Sequence, residues 1–161
     1  MPRIVMQSSA QFSTDRNYRY TLTRVWEDAL PRVTWVLLNP SRANEHEDDP
    51  TIRQVIGLSR SWGFGSVLVA NLYARVCTCP TKLREQYGER ERIGPRNDLH
   101  LAKLEAPIVV AWGAHLYAQD RAREVLSQLP AQLHCIAHNR DGSPKHPLYA
   151  RSDSRLIAFT P

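Results

Sequence analysis

Asn39-Pro40-Ser41, Asp49, Asn71 and His146 are the polar residues of this chain whose settings best suit chemistry. Asn39 closes the apolar run Val33 to Leu38, and Asn71 closes the run Ser66 to Ala70. A carboxamide carries one acceptor and a two-hydrogen donor, so Asn39 could present its amide to a ligand and Asn71 could make a two-pronged contact to a nucleobase edge. Ser41 adds a hydroxyl beside the rigid Pro40. His146 stands in Pro144-Lys145-His146-Pro147, where flanking prolines hold the ring, and histidine is the usual donor to developing negative charge. Plainer roles stay open: Asx-type turns for the asparagines, and a surface histidine in a proline-rich turn.

The run Glu45-His46-Glu47-Asp48-Asp49 could bind a divalent cation through oxygens and one imidazole. Consecutive acids at a helix N-terminus also serve as solvated, dipole-stabilised caps, and Asp49 could act as a general base or hold a water. Arg53, Trp112, Lys145 and Tyr149 complete the candidate substrate-binding set, the two aromatics doubling as packing residues. The chain has no Walker A or Rossmann glycine motif, so no cofactor is expected. Cys77-Thr78-Cys79 lacks the C-x-x-C spacing of zinc or thioredoxin-like sites, and with Cys135 it reads as reduced thiols.

These residues need elements to position them. Tyr18, Tyr20 and Leu22 alternate with Arg19, Thr21 and Thr23, the pattern of a half-buried strand running on through Trp26. A turn at Asp28 to Arg32 would pair it antiparallel with Val33 to Leu38. Ile52, Val55, Ile56 and Leu58 recur at helical spacing after an Asp49 cap and Pro50, with an end near Gly63 or Gly65. Ser66 to Ala70, Pro107 to Ala111 and Leu133 to Ala137 are short apolar runs of the kind buried in parallel sheets. Between them fall a helix begun by Asn97 or Asp98 and another over Leu116 to Leu129, with Arg121 and Arg123 on its exposed side. Tyr73 to Arg96 is irregular, with at most a short helix around Thr81 to Gln86. The first seventeen residues fray or form an edge strand.

The expected fold class is therefore α/β: a three-layer α/β/α sandwich with a four-stranded parallel-centred sheet plus an N-terminal edge strand, in a single domain over 1–161. In such a sheet the ends carrying Asn39, Asn71, Trp112-Gly113 and the His146 loop converge on one edge. The 161 residues can bury a core without disulfides, and 42% hydrophobic with 23% charged residues is ordinary for a globular protein. No apolar run reaches the roughly 20 residues that span a bilayer. The N-terminus lacks a secretory h-region, so a cytoplasmic location without membrane association is expected. Twenty-one Lys and Arg against 16 Asp and Glu give a net charge of +5. That suits a phosphate-bearing partner such as DNA or a nucleotide, although scattered arginines also fit a mildly basic enzyme.

The motifs Tyr18-Arg19-Tyr20-x-Leu22-x-Arg24-x-Trp26, Leu38-Asn39-Pro40-Ser41-x-Ala43, Asp48-Asp49-Pro50-Thr51-Ile52-Arg53, Asn71-Leu72, Asn97-Asp98, Trp112-Gly113 and Gly142-x-Pro144-x-His146-Pro147-Leu148-Tyr149 closely resemble a bacterial and phage family known as domain of unknown function 1643. More distantly, their order is similar to that of the uracil-DNA glycosylase superfamily, a three-layer α/β/α fold. Leu37-Leu38-Asn39-Pro40-Ser41 matches its first motif, Asn71 its mid-chain asparagine, Ala111-Trp112-Gly113-Ala114 its third strand end and Lys145-His146-Pro147-Leu148 its last loop. The resemblance implies N-glycosidic cleavage: Asn39 would position water, Asn71 read the base, and His146 stabilise the departing base or hold a phosphate. Asn39 is not an acid, Leu37 replaces a glycine and no obvious apolar wedge follows His146, so a nucleotide or modified base is as good a substrate as duplex uracil. A non-catalytic nucleotide-binding module and a metal-dependent hydrolase built on the acidic loop are the competing expectations.

Overall fold

The computed structural model describes residues 6–161; Met1 to Val5, part of the N-terminal stretch judged to lack a secretory h-region, lie outside the described residues. The strands are β1 (Gln7–Phe12), β2 (Arg19–Val25), β3 (Arg32–Leu37), β4 (Ser66–Asn71), β5 (Ile108–Val110), β6 (Leu133–Cys135) and β7 (Ile157–Phe159). The helices are α1 (Pro50–Ser61), α2 (Pro80–Gln86), α3 (Glu89–Ile93), α4 (Asn97–Leu101) and α5 (Gln119–Leu126). The seven strands among the described residues form one sheet in the order β1-β2-β4-β3-β5-β6-β7. The expected four parallel strands are its centre, β4-β3-β5-β6, and antiparallel strands extend both sides.

The sheet differs from expectation at its margins. β2 pairs with β4 rather than β3, because β3 lies innermost, with Val33, Trp35 and Val36 wholly buried between two parallel neighbours. The first segment forms edge strand β1. β7, which carries only three residues, was not anticipated.

Winding runs from β3 to β4 on one side and then reverses to β5 and β6. Right-handed crossovers therefore place helices on both faces. Ile52, Val55 and Leu58 of α1 pack with Trp35, Leu37 and Val69 on one face. On the other, Leu83 of α2, Leu101 of α4 and Val125 of α5 pack with Val36, Ala70 and Val110. Asp49 caps α1 by accepting Ile52 N–H at 2.9 Å, and Gly63, at φ 89°, lies just beyond its last turn. The Trp35 indole N–H donates to Ser59 Oγ at 2.9 Å and its ring stacks on Trp62, which fixes α1 against β3.

Two helices depart from their sequence pattern. Asn97 does not cap α4; it lies inside that helix, fully buried, and its Nδ2 donates to Asn71 O and Leu72 O. Arg121, expected in solvent, is 1% exposed and pairs with Asp98 and Glu124.

The loop after β3 is tied to β2 by buried guanidinium groups. Arg24 donates to Asp48 Oδ1 at 2.8 Å and to the carbonyls of Asn44 and Glu47, and Arg19 donates to Ala43 O at 3.0 Å. Removing one partner of a buried ion pair leaves the rest unsatisfied, so Arg24→Leu should lower unfolding free energy by about 3 kcal/mol. Arg24→Lys should recover little, because an ammonium cannot span a carboxylate and two carbonyls. Urea denaturation checks both; a loss under about 1 kcal/mol, the scale of an exposed pair, would show that the loop is held by other means.

Candidate functional site

Between β3 and β5 the chain reverses its winding, and in open α/β sheets ligands bind at such a switch point, outside the strand carboxyl ends. A cleft of about 760 Å³ lies there. Asn39, Ser41, Arg42 and Asp49 reach it from the loop after β3, and Cys77 and Thr78 from the segment after β4. Gly113 and His115 follow β5; Asn139, His146 and Tyr149 follow β6. Gly113, at φ 84°, donates to Pro144 O at 2.9 Å, and a Cβ there would sit 3.5 Å from that of His146. That close approach joins the β5 and His146 loops into one wall.

Asn39 Nδ2 donates to Pro40 O at 3.0 Å and to Cys77 O at 2.8 Å. Both amide hydrogens are thereby committed to backbone, which fixes the carboxamide and leaves Oδ1 as an acceptor. Asp49 has the opposite character. Its Oδ1 accepts Ile52 N–H and its Oδ2 accepts Ala43 N–H at 3.2 Å, so it is a buried negative charge that closes the loop.

His146 Nδ1 accepts Leu148 N–H at 3.2 Å, which places the proton of the neutral ring on Nε2. Burial pushes the ring pKa down to about 4, the neighbouring His115 adds to the fall, and Asp49 opposes it. At neutral pH His146 is thus an uncharged imidazole with an Nε2–H to donate. Burial also lowers His115.

Five of the nine expected residues meet in this cleft: Asn39, Ser41, Asp49, His146 and Tyr149. The other four stand apart. Asn71 is 1% exposed and does not line the cleft, and neither end of its carboxamide has a partner among the described residues. Trp112 is buried with its ring edge-on to Phe159. Arg53 is exposed and donates to Asp48 O, and the backbone of half-buried Lys145 bonds Ala137 O. Nor does the acidic run gather as a metal centre. Glu45 pairs with Arg16, Asp48 with Arg24, Asp49 caps α1, and no group of three or more metal-ligating side chains occurs among the described residues.

Residues 19–148 match a family model described as protein of unknown function, DUF1643. The chain belongs to the DUF1643 family. Searches of curated proteins and of solved structures gave no match. The matched span of this DUF1643 protein contains every cleft residue named above except Tyr149, one position beyond His146-Pro147-Leu148.

Sequence reasoning missed Arg42, Thr51, Cys77, Thr78, His115, Asn139 and Leu148 as cleft residues. Leu148 is 51% exposed at the cleft and Tyr149 77%, so apolar surface does follow His146. The histidine after Trp112-Gly113-Ala114 was a legible signal; Thr51 reads only as a helix residue until its end faces a cavity.

The shifted imidazole makes stability depend on pH. The unfolded ring titrates near 6.5 and the folded one near 4. Its contribution is therefore complete above about pH 6.5, falls away as pH drops toward 4, and changes no further below that. His146→Asn should flatten the stability curve within this window in denaturation at stepped pH. An unchanged slope would show that the ring titrates normally.

Proposed function

We propose that this DUF1643 protein is a nucleobase-recognising N-glycosidase-like hydrolase of uracil-DNA glycosylase-like fold, acting in the cytoplasm on DNA or on a nucleotide, modified bases included. The observation that supports it best is the convergence of Asn39, Asp49 and neutral His146 on one cleft at the switch point.

Glycosidic cleavage builds positive charge on the sugar and negative charge on the departing base, and its oxocarbenium-like transition state is captured by a weak nucleophile. Asn39 Oδ1, held by the two hydrogen bonds of its Nδ2, accepts a hydrogen bond from the attacking water. Asp49 supplies fixed negative charge beneath the sugar. The water's proton leaves to solvent after attack. Nε2–H of His146 donates to the base as it takes up the bonding electron pair, and a neutral donor does so without repelling the cationic sugar. Tyr149, exposed at the mouth, offers a face for a base to stack on.

A second reading has its own observation. Both oxygens of Asp49 accept backbone N–H groups and Asn39 is not an acid, so the same cleft suits a binding module that holds a nucleotide without turnover.

A panel of base-modified oligonucleotides, nucleosides and nucleotides, assayed for free base, separates the two. Under the hydrolase reading Asn39→Ala and His146→Ala each lower kcat by about a hundredfold, with KM changing little. Ligand binding without free base from any member of the panel would establish the binding module instead.

A further inference from the structure

Arg19, Arg24 and Arg121 are each at most 2% exposed. Arg24 pairs with Asp48 at 2.8 Å, and Arg121 with Asp98 at 2.6 Å and Glu124 at 2.9 Å. Arg19 has no carboxylate within ion-pairing distance among the described residues. Its Nη1 donates to Ala43 O, and its Nε has no partner. Asp49 lies near enough to favour the charged guanidinium, but its oxygens already accept Ala43 and Ile52 N–H. Burying an unpaired cation costs several kcal/mol, so this one is out of balance unless something negative joins it.

The place for that partner is a small pocket of about 30 Å³ at Arg19, shared with Asn39, Ser41, Asp49, Thr51 and His146. All of these except Arg19 also line the main cleft, so the pocket opens from the cleft floor. The N-terminus of α1 faces the same space through Thr51. Within that first turn Pro50 has no N–H, Ile52 N–H is capped by Asp49 Oδ1, and Arg53 N–H bonds Asp49 O. Only Thr51 N–H is left to meet a ligand, at the positive end of a twelve-residue helix.

We propose that this pocket is an oxyanion subsite, taking one oxygen of a terminal phosphate between the Arg19 guanidinium, the Thr51 N–H and the Ser41 hydroxyl. The volume admits an oxygen and not a whole phosphoryl group, which stays in the cleft above. A monoester has such an oxygen at its chain end. A phosphodiester would have to lead a strand in and out past the cleft floor. The ligand of the cleft is therefore a nucleoside monophosphate rather than a polymer. Only this last identification rests on the glycosidase reading; the anion subsite stands on Arg19 and α1. The two fit, since a guanidinium facing a cationic sugar would oppose cleavage unless an anion neutralised it first.

Calorimetric titration and thermal unfolding of the full chain test this with inorganic phosphate, acetate, the four common nucleoside 5′-monophosphates and the matching nucleosides. Phosphate and the monophosphates should bind and raise Tm, and the nucleosides should bind far more weakly. Arg19→Met removes a buried charge together with the donor to Ala43 O, so it should fold with a modest change in Tm and lose phosphate affinity by about a hundredfold. Should that variant not fold, Ser41→Ala keeps the guanidinium and should weaken phosphate about tenfold, the value of one hydrogen bond to a charged group. Equal phosphate binding by parent and Arg19→Met, or nucleosides binding as tightly as monophosphates, would overturn the subsite; acetate binding as tightly as phosphate would overturn its assignment to phosphate. Because binding needs no turnover, phosphate binding without base release refutes the glycosidase reading alone. Base release from nucleosides without phosphate binding refutes this proposal alone.

Discussion

Taking a guanidinium out of water costs several kcal/mol even after the protein relaxes around it, and this fold does so twice beneath one strand. Arg19 and Arg24 are five residues apart on β2, and strict alternation would send them to opposite faces of the sheet. They reach the same loop because β2 carries a bulge. Gln11 pairs with Thr21 and Phe12 with Arg19, leaving Tyr20 unmatched, and the extra residue flips the phase of the strand. Both side chains then meet the carbonyls of Ala43, Asn44 and Glu47. The loop that carries Asn39, Ser41 and Asp49 has no regular structure, and these two cations satisfy its Ala43, Asn44 and Glu47 carbonyls.

That arrangement explains why the acidic run does not gather into a cluster of metal-ligating side chains among the described residues. Three of the four acids in the run have a structural partner, Glu45 with Arg16, Asp48 with Arg24, and Asp49 with the Ala43 and Ile52 amides, and Glu47 is exposed. Asp49 joins the two ends of the loop, since Ala43 N–H and Ile52 N–H are nine residues apart and bind one carboxylate. Its charge is thereby placed under the cleft while its oxygens do the work of a cap. The same geometry limits it as a proton acceptor, which is why water orientation falls to Asn39 in the proposed chemistry.

Central features of the fold were legible in sequence because they depend on local pattern. Four apolar runs gave the parallel centre, and Asp49-Pro50 with Ile52, Val55 and Ile56 gave α1 and its cap. What was hidden depends on partners distant in the chain. Arg19 read as a solvent residue of an alternating strand because a bulge leaves no mark on a period-two pattern. Arg121 read as exposed because its position on α5 is polar, although two carboxylates cover it. β2 was placed beside β3 because adjacency in sequence usually means adjacency in the sheet, but burial of Trp35 and Val36 on an innermost strand required β4 on one side and β5 on the other. At the cleft, the strand-end rule brings Asn39 and His146 to its lining, and it does not bring Asn71 there. Its side chain is on a strand beside the switch point rather than at it, and it is closed over by the core.

The charge surplus also changes meaning once burial is known. Three of the arginines that make the chain basic are inside it, two already neutralised by carboxylates, so the +5 net charge is not a uniform field over the surface. What remains near the cleft is specific: Arg42 at the opening, Arg19 at the floor, and between them a histidine kept neutral by burial. In the proposed cleavage a charged imidazole there would add to the repulsion between Arg19 and a cationic sugar. A neutral one, with Nδ1 held by Leu148 N–H, supplies a hydrogen-bond donor without a positive charge. In the proposed chemistry, burial of His146 and the unpaired state of Arg19 thus divide two tasks between two residues, donation to the leaving base and neutralisation of an anion.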